Sequence, residues 1–465
     1  MLKIGLIVDH PKRDLDGIIR IACALIEKRV CVYIIPLYYQ GVDVPLLDLD
    51  VILINYARPI NLELVKGYFK QKISIFVLDT EGGILSETGA NSLENLTNYV
   101  SKSGYSRLLS GYLFWGNHLF NAFSKRKILK KEKMHITGCP RFDFASKDLR
   151  HLLTYKDSNF ILVNANFSLV NPSFVKNDKK EIEVLIKSGW NRLYVNKMVA
   201  DQRLIMKNFL NTIRDLALTF PHRKFLIRPH PFENKKVYDD YFSDFYNVTV
   251  DGNGNVLNVI KNSAFLLHLN CGTSIEAIML KRLPVSMEFL NTPHMTKHSK
   301  LPSKVSLKAT SIKDLKNIIK NIEEAYKRFR FDSVYQSHIN RFFYINDGYS
   351  GNRVANILFK QGYKKARVNK IKSILWSLKN SRLKTGVFQK CQGVTANLLG
   401  SLYLSYIRNI FNYSRKEKDI DIKYVKKLAS TLSPKISDYL EITYSRHPLS
   451  ALPLATISIK LNSFN

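Results

Sequence analysis

Lys224-Phe225-Leu226-Ile227-Arg228-Pro229-His230-Pro231-Phe232-Glu233 is the stretch that decides the fold. A short apolar run ends abruptly in a loop whose two prolines stop any regular hydrogen bonding. Before it lies a helix-period segment, Val199–Thr219, and before that another apolar run, Phe160–Asn164. Strand, helix, strand is the unit of a parallel sheet. The pattern continues in both directions. Downstream, Val248–Val250 and Ser263–Leu269 read as strands, and Ser311–Arg328 reads as a helix opened by Ser311 and Asp314. Upstream, Ile4–Val8, Val30–Ile35, Val51–Asn55, Ile73–Leu78, Tyr112–Trp115 and His135–Thr137 read as strands. Asp16–Lys28 and Asn117–Lys131 have the period of helices between them.

Two such series joined near residue 145 predict an α/β protein of two Rossmann-like domains facing a cleft. Residues 1–145 form the first domain, 146–360 the second and 361–465 a basic helical C-terminal tail. The chain has 465 residues, 45% of them hydrophobic, which is enough for two packed cores. No apolar run approaches the roughly 20 residues needed to span a bilayer. Met1–Asp9 reads as a first strand and lacks the features of a signal peptide, so a cytoplasmic protein is expected. The five cysteines, Cys23, Cys31, Cys139, Cys271 and Cys391, have no metal or disulfide spacing.

The formal net charge of +33 calls for an anionic partner. From Gly348 to Lys416 there is no Asp or Glu, while Lys364, Lys365, Arg367, Lys370 and Lys372 accumulate around Ile371, Ile374 and Trp376. A basic amphipathic helix carrying Trp suits an anionic membrane surface. No nucleic-acid module accompanies the charge, so nucleic acid is not expected.

In open parallel sheets ligands sit beyond the carboxyl ends of the strands. The segments at those ends supply the candidate site residues. Asp79-Thr80-Glu81-Gly82-Gly83 places Asp79 and Glu81 on a tight turn, as candidates for acid/base or nucleophilic work. Arg228, His230 and Pro231 suit a phosphate site, the guanidinium acting as a bidentate donor. Gly272, Thr273, Ser274 and Glu276 open a helix after the strand at 263–269 and are read as further nucleotide contacts. Asn164 and Asn166, with Arg141 in Gly138-Cys139-Pro140-Arg141-Phe142-Asp143, could orient a substrate. That last segment also has the character of a hinge between the domains. His294 and His298 are spaced i,i+4 without an acidic ligand close in sequence, and no metal site is expected.

Together these residues point to a family. Arg228-Pro229-His230-Pro231 resembles the HP motif of bacterial GT-B transferases that use CMP-activated acidic sugars, including sialyltransferases and β-Kdo and pseudaminic-acid transferases. Asp79-Thr80-Glu81-Gly82 resembles their acidic element, and Thr273-Ser274 their phosphate motif. Asn164-Ala165-Asn166-Phe167 with the segment at 138–143 is similar to the bacterial surface carbohydrate biosynthesis proteins. The resemblance spans about residues 1–360. It implies transfer of a Kdo, pseudaminic or sialic type sugar from a CMP-activated donor to a surface polysaccharide, glycan or glycolipid acceptor. His230, Arg228, Thr273 and Ser274 would then hold the CMP phosphate and Glu81 would be the acid/base residue across the cleft, without metal or other cofactor. The enzyme would be peripheral on the inner face of the bacterial cytoplasmic membrane. The alternatives are a teichoic-acid-type phosphotransferase using CDP-glycerol or CDP-ribitol, which would need a further histidine from the first domain, and a non-catalytic membrane scaffold.

Overall fold

The computed structural model describes residues 1–82, 92–173, 182–183, 185–186, 190–361, 399–403, 419–448 and 450–462. The basic stretch at 364–390 lies outside the described residues, as does Cys391. The chain forms two compact units. One takes in Met1–Gly83, Thr97–Asp143 and Phe343–Asn465, the other Ile84–Leu96 and Phe144–Phe342.

The first unit opens with six strands: β1 (Lys3–Val8), β2 (Cys31–Pro36), β3 (Val51–Ile54), β4 (Ser74–Leu78), β5 (Gly111–Phe114) and β6 (Met134–Ile136). The second holds β7 (Ile161–Asn164), β8 (Phe225–Arg228), β9 (Val248–Val250), β10 (Phe265–His268), β11 (Pro284–Ser286) and β12 (Leu307–Lys308). The chain then returns to the first unit with the hairpin β13 (Leu440–Arg446) and β14 (Pro453–Leu461). The strand orders are β13-β14-β2-β1-β3-β4-β5-β6 and β12-β11-β10-β7-β8-β9.

All pairs are parallel except those made by the hairpin, which joins β2 antiparallel. The central strands are continuous apolar runs because helices cover them: every residue of β3, β5, β7, β8 and β10 is buried. Both sheets reverse their strand order once. The reversal falls between β1 and β3 in the first and between β7 and β10 in the second. Those are the topological switch points where open α/β sheets bind ligands.

The structure sharpens several sequence expectations. The helix read as Val199–Thr219 starts earlier, at Arg192, because Asn191 caps it by accepting from the Tyr194 amide. Ser311 caps a helix as its sequence indicates, but that helix spans only Ile312–Lys320. Asn321 leaves helical geometry there, and a second helix, Ile322–Arg328, follows. The C-terminal region is not helical throughout. Beyond the helix Ile422–Leu432 it supplies the hairpin that extends the first sheet. Leu440–Arg446 has too little apolar character to read as a strand, with Glu441, Thr443, Ser445 and Arg446 among its seven residues.

Candidate functional site

The second unit brings the strand-end loops together. Loop 165–173 after β7 is joined to loop 229–234 after β8 by a short backbone ladder. In it the Ser173 amide donates to the Phe232 carbonyl at 2.9 Å, and the Asn234 amide to the Asn171 carbonyl at 3.0 Å. Glu233 supports both loops from inside. Its carboxylate accepts from the Phe167 amide and from the Tyr238 hydroxyl. Burial pushes its pKa up to about 7, against the opposing effect of those hydrogen bonds.

His230 projects from this scaffold, half-buried. The Phe232 amide donates to its Nδ1 at 3.3 Å, which places the proton of the neutral ring on Nε2. Pro229 and Pro231 remove two amides from the same turn. Arg228 behaves differently from expectation. Its guanidinium turns back into the unit and donates to the carbonyls of Asn253 and Gly254, both at 2.6 Å. Burial lowers its pKa. In this arrangement it shapes the loop after β9.

At the switch point, β7 and β10 lie side by side with Asn164 paired to His268. The Asn164 Nδ2 donates to Thr273 Oγ1 at 2.8 Å, and Cys271 Sγ lies 3.0 Å from the same hydroxyl. Asn164 Oδ1 and Ser274 Oγ are buried and have no hydrogen-bond partner among the described residues. Asn166 donates to the carbonyl of Asn270, a residue in the left-handed region at φ 53°. Asn270 in turn exchanges side-chain hydrogen bonds with Asn291, which is tied to Glu288. Below this layer His268 is fully buried and donates to or accepts from Ser306 Oγ at 2.8 Å. Burial lowers its pKa to about 3, so it is a neutral structural group. Gly272 stands at the start of the seven-residue helix Thr273–Met279, and Glu276 is buried in its first turn. The result is a cradle of Asn, Thr and Ser side chains with the buried carboxylates of Glu276 and Glu233 acting on Cys271 beside it, one that offers hydrogen bonds rather than a second cation.

In the first unit Asp79 and Glu81 do come together, and they bring arginines that the sequence reading passed over. Arg58 donates to Glu81 Oε2 at 3.1 Å and to Asp79 Oδ1 at 3.3 Å. Arg13 reaches Asp9 at 2.6 Å and Asp14 at 3.0 Å, with Glu81 at 3.9 Å. Burial works against the charge on Arg58, but Asp79 and Glu81 still hold its pKa above the ordinary value. Asp79 is buried, which pushes its pKa up; Tyr112 and the Glu81 amide both donate to it. Glu81 is the exposed member of the pair, at 40% of its side chain. His10 follows β1 in the same region, buried, with its amide on Asp14. The signal for Arg13 was available as Asp9-x-x-x-Arg13-Asp14 directly after a strand; Arg58 had none.

Arg141, expected to project from a hinge, is held inside the first unit. It lies over the Trp115 and Phe142 rings at 5.3 and 4.7 Å, with Asp14 at 3.8 Å. The Asp143 carboxylate accepts from the amides of Ser350 and Gly351, which ties the same segment down.

Among the described residues no group of three or more metal-ligating side chains occurs, and no helix is long and apolar enough to cross a membrane. The four described cysteines are buried free thiols.

Solved structures share this two-unit, GT-B-like architecture. The wall teichoic acid polymerase TagF, in a form soaked with CDPG, matches with a TM-score of 0.50 at 12% identity, over 77% of this chain and 88% of that chain. The UDP-GlcNAc 2-epimerase of Methanocaldococcus jannaschii, in complex with UDP-GlcNAc and UDP, matches with a TM-score of 0.48 at 13% identity, over 77% of this chain and 100% of that chain. The Neisseria meningitidis UDP-GlcNAc 2-epimerase bound to UDP-GlcNAc matches with a TM-score of 0.47 at 12% identity, over 77% and 100%. No family model matches the chain, and no curated protein matches it in sequence.

These comparisons correct the expectation of a donor made of CMP and a Kdo, pseudaminic or sialic acid. The matching structure at a TM-score of 0.50 is a teichoic acid polymerase carrying CDPG, not a transferase of CMP-activated acidic sugars. The physical reason is that the motifs behind the expectation read only a phosphate. His230, Thr273 and Ser274 would meet the same group in a CMP, CDP or UDP donor, and Arg228 is committed to Asn253 and Gly254.

Proposed function

We propose that the chain is a transferase of the teichoic-acid type, which moves a polyol phosphate from a CDP-activated polyol such as CDP-glycerol or CDP-ribitol to a surface-polymer acceptor. The observation that carries the choice of donor is the likeness in fold to the TagF structure soaked with CDPG. The place for its diphosphate is the cradle at the second switch point, where Asn164 at the end of β7 is hydrogen-bonded to Thr273 at the start of the helix after β10, and where Asn164 Oδ1 and Ser274 Oγ are buried without a partner among the described residues. Unsatisfied buried polar atoms are costly, and a ligand that pairs them recovers that cost.

A diphosphate fits the chemistry of this place. His230 Nε2–H donates to a phosphate oxygen, Ser274 and Thr273 donate hydroxyls, and Asn164 Oδ1 accepts from a donor group on the nucleotide. In the transfer an acceptor hydroxyl attacks the phosphorus that bears the polyol. The new P–O bond forms as the P–O bond to CMP breaks, CMP leaves with the electron pair, and the proton of the attacking hydroxyl passes to a general base. His230 offsets the charge that develops on the departing phosphate. The likeness in fold to the TagF structure soaked with CDPG is consistent with this donor.

The test is donor discrimination. The full chain is incubated with CDP-glycerol, CDP-ribitol, CMP-sialic acid and UDP-GlcNAc, with a polyol-phosphate primer, and nucleotide release is followed. The expected result is CMP from a CDP-polyol and little product from the others, with His230→Ala reducing the rate at least a hundredfold. Turnover of UDP-GlcNAc alone, or no nucleotide release from a CDP-polyol, overturns the reading.

A further inference from the structure

The C-terminal hairpin builds a cavity at the amino ends of β1 and β2, at the opposite ends of these strands from Asp79 and Glu81. It has a volume of about 430 Å³. Its floor is two cross-strand rows on one face of the first sheet. Thr443, Ser458 and Tyr33 form one, since Thr443 pairs with Ser458 and Ser458 with Tyr33. Glu441 and Lys460 pair in the other, which continues through Cys31 to Lys3. The segment Pro45–Asp48 forms one wall and Arg446 stands at the bulge in β13.

The side-chain pattern differs on the two faces of this hairpin. Ile442, Ile457 and Ile459 are buried on the reverse face, where the helices Pro11–Ile26 and Ile422–Leu432 pack. The cavity face is polar and internally paired. Lys460 Nζ is 3.1 Å from Glu441, Lys3 Nζ is 3.7 Å from Asp48, and the hydroxyls of Thr443 and Ser458 are 3.2 Å apart. A solvated sheet face would also be polar, but it would not be walled into a concavity of this size, which lies in the range of small-ligand sites.

The lining has three cationic side chains, Lys3, Lys460 and Arg446, against two carboxylates, Asp48 and Glu441. That balance leaves one positive charge in excess. Hydroxyls in one row and a carboxylate in the next donate to and accept from vicinal hydroxyl groups, while the excess cation takes a monoanion. We infer that this cavity binds a phosphorylated polyhydroxyl unit, a polyol phosphate or a sugar phosphate, such as one repeat of a phosphodiester-linked chain. Only the preference for a polyol phosphate over a sugar phosphate rests on the proposed function; the cavity itself does not depend on it.

The experiment is a titration of the full chain, without nucleotide, using sn-glycerol 3-phosphate, glucose 1-phosphate, glycerol and inorganic phosphate as probes, read by ligand-observed NMR. One or both phosphorylated polyhydroxyl probes are expected to bind saturably, at least tenfold more tightly than inorganic phosphate or glycerol. Arg446→Ala, an exposed change outside the core, and Lys460→Ala are each expected to weaken this at least fivefold, with unchanged Tm for Arg446→Ala. His230→Ala is expected to leave it unchanged, which separates this site from the donor site. Tighter binding of glucose 1-phosphate than of sn-glycerol 3-phosphate assigns the cavity to a sugar phosphate. Equal binding of inorganic phosphate, absence of saturable binding, retention of affinity in Arg446→Ala, or loss of affinity in His230→Ala overturns the inference.

Discussion

Asn164 donates through Nδ2 to Thr273 Oγ1 at 2.8 Å, and this bond joins the carboxyl end of β7 to the start of the helix that follows β10, between residues 109 apart in sequence. It orients the Asn164 amide so that Oδ1 is left buried without a partner among the described residues. A side chain held in this way is preorganised to accept a hydrogen bond from a ligand, with little entropy left to lose on binding.

Asn164→Ala is therefore expected to weaken CDP binding roughly tenfold, the scale of one or two hydrogen bonds. Thr273→Val keeps the shape and removes the partner, so it should weaken binding by a smaller factor. The change in Tm produced by saturating CDP measures both. Equal ligand-induced shifts in wild type and Asn164→Ala would show that the amide does not touch the nucleotide.

Glu233 gives the second unit a pH dependence of unusual sign. Its folded-state pKa is pushed up to about 7 by burial, above the ordinary carboxylate value of 4.5. Between those values the folded form holds a proton that the unfolded form has lost, so stability falls as pH rises from about 4.5 to about 7. The effect is on the order of 3 kcal/mol. Glu233→Gln keeps an acceptor for the Phe167 amide and offers a donor to the Tyr238 hydroxyl without a charge. It should unfold at a higher temperature than wild type at pH 8 and at a similar one at pH 5. A constant difference between the two proteins across that range would refute the assignment.

Most of the parallel strands were legible because β1, β3, β4, β7, β8 and β10 are short apolar runs between turn signals, while the three-residue β11 and the two-residue β12 were too short to show a pattern. The hairpin was not. β13 alternates, with Glu441, Thr443 and Arg446 on its wet side, and among the described residues it pairs only with β14, whose own register is set by β2, more than 400 residues earlier in sequence. The same contrast holds for the sites. Composition at strand ends made Asp79, Glu81, His230 and Thr273 candidates, and the structure holds Asp79 with Glu81 at the end of β4, His230 in the turn after β8 and Thr273 at the helix start after β10. Composition misread Arg228, because the reach of a long side chain depends on where the carbonyls of Asn253 and Gly254 fall. Arg58 acquires its role only by proximity to Asp79, 21 residues away.

Gly17 lies where the helix Pro11–Ile26 meets the segment carrying Arg141. A Cβ at that position would stand 2.6 Å from the Arg141 backbone nitrogen and 3.0 Å from its Cα. Neither atom belongs to a flexible side chain, so the helix or the segment would have to move. Gly17→Ala should therefore destabilise the first unit by roughly 1–3 kcal/mol despite its better helix propensity. Thermal unfolding of the variant checks this; a raised Tm would mean that propensity outweighs the contact.

Arg58 has two partners of different burial, and its removal should separate their roles. Asp79 is 1% exposed, so loss of the guanidinium leaves a buried carboxylate without its counter-charge. Breaking such a pair costs roughly 3–5 kcal/mol. Asp79→Asn removes the charge that needs compensation, so the double variant Arg58→Ala/Asp79→Asn should recover most of that loss. Glu81 is exposed enough to be solvated alone, and Glu81→Gln should change Tm little. If Glu81 is the proton acceptor of the transfer, Glu81→Gln should also abolish CMP release while leaving CDP binding intact. A thermal-unfolding cycle over Arg58 and Asp79, run beside the release assay, tests both statements. Full additivity in the cycle would refute the charge-pair account, and retained turnover in Glu81→Gln would remove that carboxylate from the chemistry.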